Sequence, residues 1–151
     1  MIALMKRGIT MFDFNFDWRP DMEVKIEVLD QQHQQLFRIG RDIEQLLRMK
    51  CIGVTEIQLL KIVCELRDYA AYHSYQEEKL MKDAGYSGYE QHKKMHDSFS
   101  AEIESINMPK LKADPEGQLK LIRDHIQVWV FEHMLVEDMK MADEIRNKLK
   151  K

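Results

Sequence analysis

The stretch TEIQLLKIVCELRDYAAYHSYQEEKLMKDAG, Thr55 to Gly85, decides the fold. Thr55 and Gln58 stand in capping-box spacing at its start, and Leu60, Val63, Leu66, Ala70, Leu80 and Ala84 recur three and four residues apart behind them. That pattern predicts one long helix closing near Ala84. His73 and Glu77 lie on the same stripe, one turn apart, where a plain core would carry aliphatic side chains.

Working outward, six of the nine Gly and Pro residues fall at three places: Gly53; Gly85 with Gly88; and Pro109, Pro115 with Gly117. Three breaks after a first helix make four helices. The first is expected from about Asp30, read as its N-cap, to about Lys50, and the third from about Tyr89 to Asn107. The fourth opens with Asp114 as N-cap and Pro115 at the first helical position, then continues to the C-terminus. Residues 1–27 lack helical periodicity; Phe12, Phe14, Phe16 and Trp18 alternate with polar residues as an extended arm does. The expected fold is all-α, an antiparallel up-down four-helix bundle over residues 28–151, with an N-terminal arm over 1–27 packing its aromatics on the bundle.

Composition agrees with helices. Apolar residues make up 44% of the 151 and charged residues 32%, with only 6 Gly and 3 Pro, which disfavours a sandwich, a barrel or a disordered chain. The net charge of −3, with no long block of either sign, gives no sign of a nucleic-acid or anionic-membrane surface. No apolar run approaches the roughly 18 residues a membrane span needs, and the chain reads as soluble and cytoplasmic. Cys51 and Cys64 stand in no metal-binding or redox spacing and read as reduced, structural, buried thiols.

Every predicted stripe carries histidine. The first is Leu29, His33, Leu36, Gly40, Ile43, Leu47; the third His92, His96, Phe99, Ile103, Ile106; the fourth Leu119, Ile122, Ile126, Trp129, His133. Five of the six histidines therefore point inward together with Glu77. Burying these groups unpaired is costly, and metal ions satisfy all of them at once, because imidazoles supply lone pairs and carboxylates supply charge. The levels also match. His33 and His73 are equally far from Gly53, about 30 Å along antiparallel helices, and His73/Glu77 and His92/His96 lie within roughly 4.5 Å of one level. His133 is offset by roughly 9 Å, so the fourth helix must overshoot the third or their connection must fold back. For a carboxylate beside His133, a regular helix at about 100° per residue favours Glu137 over Asp138.

Taken in order, these residues resemble the hemerythrin family in its stand-alone bacterial form. The resemblance runs from about Trp18 to Ala142. It rests on D-Q-Q-H ending at His33, Y-x-x-Y-H-x-x-x-E-E from Tyr69 to Glu78, L-M-x-x-x-G-Y from Leu80 to Tyr86, H-K-K-M-H from His92 to His96, and W-x-x-x-H-x-x-x-x-D from Trp129 to Asp138. It implies a non-haem di-iron centre that binds O2 reversibly, for oxygen storage, delivery or sensing. His92, His96 and His133 would hold one iron, and His33 with His73 the other; Glu77 and Asp138 would bridge them along with an oxo or hydroxo group. The resemblance thus selects Asp138 over Glu137 and leaves one coordination position open, on the two-histidine iron. Trp129 and Val130 take the family's pocket positions. Ser74 stands where the family often has Phe, Val130 where Leu is frequent and Met134 where Ile is common, departures that predict a roomier or more polar pocket and faster autoxidation.

Two other classes stay open: a di-iron redox enzyme acting on peroxide, nitric oxide or O2, and a metal-dependent redox-sensing interaction module. The site lacks the repeated Glu-x-x-His motif of carboxylate-rich di-iron oxidases, which argues for a non-enzyme. His125 reads as a surface residue, Glu78 as facing solvent or a neighbouring helix, and the methionines as flexible core filler.

Overall fold

The computed structural model describes residues 14–149, so Phe12 of the arm lies outside them. Among the described residues the chain is helical with no strand. The helices are α1 (Glu27–Arg48), α2 (Glu56–Ala84), α3 (Tyr89–Glu104), the short α4 (Met108–Ala113), α5 (Pro115–Trp129) and α6 (Met139–Leu149); a π-helical segment, Val130–Asp138, joins α5 to α6 without a break. The bundle's four long members are α1, α2, α3 and the composite of α5, the π segment and α6.

Capping accounts for most boundaries. Thr55 accepts a hydrogen bond from the Gln58 amide while the Gln58 side chain accepts one from the Thr55 amide, closing the capping box at the head of α2. Gly85 ends α2 in the left-handed conformation at φ 65°. Asp114 caps α5 through the Gly117 amide at 3.1 Å, with Pro115 following it.

Four expectations need correction. The first helix begins at Glu27, with Ile26 at its cap and no side-chain cap bond. Asp30 is instead a tether: its carboxylate accepts from the backbone amides of Val24 at 2.8 Å and Lys25 at 3.1 Å, holding Lys25 at a left-handed φ of 62°. The third helix stops at Glu104, because Asn107 caps a separate helix by accepting from the Lys110 amide. That short helix is the folded-back connection the register mismatch called for. Leu60 is 46% exposed and Leu59 takes its place in the core, since either residue satisfies a spacing of three or four to Val63. Finally, Cys64 is exposed and Cys51 only half-buried.

The core falls into two clusters with the histidines between them. The larger gathers Leu36, Phe37, Val63, Leu66, Phe99, Ile103, Leu119 and Ile126, and the smaller Leu29, Met81, Tyr86, Met141, Ala142 and Ile145. Residues 14–26 lie along the bundle. Phe14 packs edge-on against Phe37 and Phe131, with ring centroids 5.4 and 5.0 Å away, and Phe16 is fully buried. Trp18 reaches Phe37 at 5.1 Å and His33 at 6.5 Å.

Candidate metal centre

Each long helix contributes to one buried cluster. α1 supplies His33, α2 His73 and Glu77, α3 His92 and His96, and the π segment His133 and Asp138. The five imidazoles are 1–2% exposed and both carboxylates are fully buried. All five rings turn Nε2 toward the carboxylates. His33 Nε2 lies 2.9 Å from Asp138 Oδ2, His73 Nε2 3.2 Å from Glu77 Oε2, and His96 Nε2 3.2 Å from Glu77 Oε1. His92 Nε2 contacts Glu77 Oε1 and stands 3.0 Å from Asp138 Oδ1, while His133 Nε2 is 2.9 Å from that same Asp138 atom. One candidate ligand atom from each of His73, Glu77, His96, His133 and Asp138 falls within 4.8 Å of the others.

The π segment decides the carboxylate. Asp138 is fully buried and Glu137 only half-buried, the reverse of the regular-helix expectation. In an α-helix a side chain five residues on lies about 140° round the axis; hydrogen bonding from i to i+5 widens the turn and returns it to the same face. The residues 133 and 138 therefore share one face.

Outer contacts orient the rings. His73 donates Nδ1–H to the Gln32 amide oxygen at 2.9 Å, and His96 donates Nδ1–H to the Glu78 carboxylate at 2.9 Å. Those bonds place the proton on Nδ1 and leave the Nε2 lone pair facing the carboxylates. Glu78 thus lies against α3, as one of its two expected placements had it. Gln32 entered the sequence reading only as a letter of the D-Q-Q-H motif, with no role; its place directly before His33 was the available signal.

Aromatic side chains wall the cluster. Trp129 stacks on His133 at 3.8 Å and on Phe99 at 4.1 Å, and its Nε1–H donates to the Tyr69 hydroxyl at 3.1 Å. Tyr69 in turn stacks over His73 at 5.2 Å, and burial pushes its phenol well above its ordinary value, so it stays neutral. Val130 is fully buried, Met134 is 1% exposed and Ser74 is half-buried on α2. Beside Trp129 and His133 a groove of about 670 Å³ opens between α3 and the fourth long helix, lined also by Met95, Val128 and Glu137. His125 sits at its exposed rim, paired with Glu102, away from the cluster.

The electrostatics are those of a site built round cations. Burial presses both carboxylates upward, and Asp138 presses Glu77 further, yet the surrounding imidazoles, His73 beside Glu77 and His133 beside Asp138, hold both below the usual carboxylate range, so negative charge stays in the interior. Without a metal, protons must compensate. Burial opposes charging His92, but its contacts with Asp138 and Glu77 raise it to about 10, whereas burial drives His73 down to about 3. His73 Nε2, His133 Nε2, Glu77 Oε2 and Asp138 Oδ1 are buried with no hydrogen-bond partner although charged neighbours lie close by. Orphaned lone pairs aimed at common points are what metal ions satisfy, and an imidazole–carboxylate set suits iron, zinc or manganese. The residues fit a metal centre.

A bundle with a cation-holding cluster contributed by all four long members is the class that fold and site define. The model of the hemerythrin HHE cation binding domain matches residues 24–145, and the chain belongs to the hemerythrin family. The chain is 30% identical over 128 residues to the bacteriohemerythrin of Clostridium acetobutylicum, covering 85% of this chain and 99% of that protein. It is 26% identical over 132 residues to that of Pseudomonas paraeruginosa, covering 87% and 82%, and 28% identical over 127 residues to that of Campylobacter jejuni, covering 83% and 91%.

Proposed function

We propose that this chain is a non-enzymatic cytoplasmic protein that binds O2 reversibly at two iron ions, for oxygen storage, delivery or sensing. The observation that carries the reading is the convergence of five Nε2 atoms on two fully buried carboxylates within a hemerythrin-family bundle. His92, His96 and His133 would hold one ion and His33 with His73 the other, with Glu77 and Asp138 supplying carboxylate oxygens to both. Bound there, iron would supply the redox-active centre for taking up and releasing O2.

The protein's own contribution is placement and exclusion. Gln32 and Glu78 keep the protons of His73 and His96 on the far nitrogens, so that both rings present lone pairs. Trp129, Phe99, Tyr69 and Val130 keep water from the centre, which protects the reduced state against oxidation. Ser74 is the polar, half-buried member of the pocket set.

The test is anaerobic reduction of iron-loaded protein followed by O2 titration, watched in the visible spectrum with iron content in parallel. A band that grows with O2 and vanishes under vacuum, at two irons per chain, is the expected result. Direct passage to a ferric spectrum with O2 consumed overturns it in favour of a redox enzyme or sensor. Replacing His73 or Glu77 with Ala is expected to lower iron content; unchanged content would overturn the ligand assignment.

A further inference from the structure

His73 and His96 face each other across the cluster with ring centroids 5.1 Å apart, and their inner nitrogens do the same job. Their outer nitrogens do not. His96 Nδ1–H donates to a carboxylate, Glu78 Oε2, and His73 Nδ1–H donates to an amide, Gln32 Oε1, both at 2.9 Å. Equal distance with unequal charge isolates the chemical difference. A carboxylate acceptor draws the ring proton toward itself and makes the imidazole a stronger electron donor to a cation, which a neutral amide does far less. Both partners are sheltered from water, Gln32 at 4% and the Glu78 side chain at 19% exposure, so solvent does little to screen that contrast. The Nδ1 atoms of His92 and His133 have no hydrogen-bond partner and so do not offset it.

We propose that Glu78 and Gln32 are positioning residues that make the two metal positions electronically unequal. The position held by His96 favours the higher oxidation state, and the position held by His73 accepts the first electron on reduction. Each residue follows or precedes a ligand directly in the chain, Glu78 after Glu77 and Gln32 before His33, and each reaches a ring on a neighbouring helix. The inference rests on the di-iron reading above.

The experiment uses iron-loaded protein and the near-isosteric variants Glu78→Gln and Gln32→Glu in an anaerobic dithionite titration with redox mediators, with iron counted in each sample. Gln32→Glu is expected to lower the potential of the first electron and Glu78→Gln to raise that of the second. A tenfold change in the ratio of ferric to ferrous affinity corresponds to about 59 mV for one electron. Zinc binding to the metal-free protein is expected to weaken roughly tenfold or more in Glu78→Gln. Loosening of the bundle alone would move both variants the same way, so shifts of one sign, or none, overturn the proposal. Should Glu78→Gln fail to fold, Gln32→Glu decides alone: a lowered first potential supports the proposal, and an unchanged or raised one overturns it. Wild-type protein holding fewer than two irons overturns the di-iron reading and the proposal with it; two irons without the opposed shifts overturn the proposal only.

Discussion

Gly40 has no side chain because Phe16 uses that space. A Cβ at Gly40 would stand 2.4 Å from the Phe16 ring, and the fully buried ring cannot swing away. Phe16 itself sits at a left-handed φ of 58°, an unusual conformation for a bulky residue, secured by Arg41 donating to its carbonyl at 2.7 Å. Gly40→Ala is expected to cost about 1–3 kcal/mol by overpacking, read from denaturant unfolding, with metal content per folded chain unchanged. At the same scale, the metal-free site has a signed pH dependence. His92 is raised from 6.5 to about 10 in the folded protein, so its stabilisation is full below 6.5 and is lost as pH rises through about 10. His73, Glu77 and Asp138 are lowered, so theirs is present above their unfolded values and lost toward acid. Metal-free protein is therefore expected to lose melting temperature on going from neutral pH toward pH 10, and metal uptake at neutral pH to release protons, measurable in weakly buffered solution.

Among the elements, the π segment carries the most information that periodicity does not. The stripe of the fourth helix is legible as far as His133, and Asp114 with Pro115 marks its start as read from sequence. Beyond His133 the assumption of a uniform 100° step selects Glu137, and the i to i+5 geometry of Val130–Asp138 selects Asp138 instead. Asp138→Asn is expected to reduce metal content below that of wild type, and Glu137→Gln to leave it unchanged, as measured by elemental analysis of the purified proteins. Asp114→Ala is expected to cost about 1 kcal/mol through loss of the helix cap while metal stoichiometry stays at the wild-type value. A fall in metal stoichiometry in Asp114→Ala would show that the cap and the site are not separable.

For the whole molecule, the metal centre lies between the two core clusters, so cation binding and folding share one free energy. Removing metal with a chelator is expected to lower the melting temperature, and adding it back to raise the melting temperature with concentration. An unchanged melting temperature would mean that the bundle alone sets stability. The helical class, the number of long helices, the inward-facing histidines and Glu77 were all legible in the sequence, because a stripe at three- and four-residue spacing exposes any polar group set among apolar ones. The local caps at Thr55 and Asp114 were legible for the same reason: they depend only on near neighbours. What required the tertiary structure were properties that arise between elements. Whether Leu59 or Leu60 enters the core depends on the facing helix. The tether made by Asp30 depends on the path of the arm, and the outer partners Gln32 and Glu78 depend on how α1 and α3 lie against α2. Asp138 was already selected by the resemblance of the Trp129 to Asp138 motif, but the physical reason for its burial, the π segment Val130–Asp138, is a departure from regular helix geometry that one helix's periodicity does not encode.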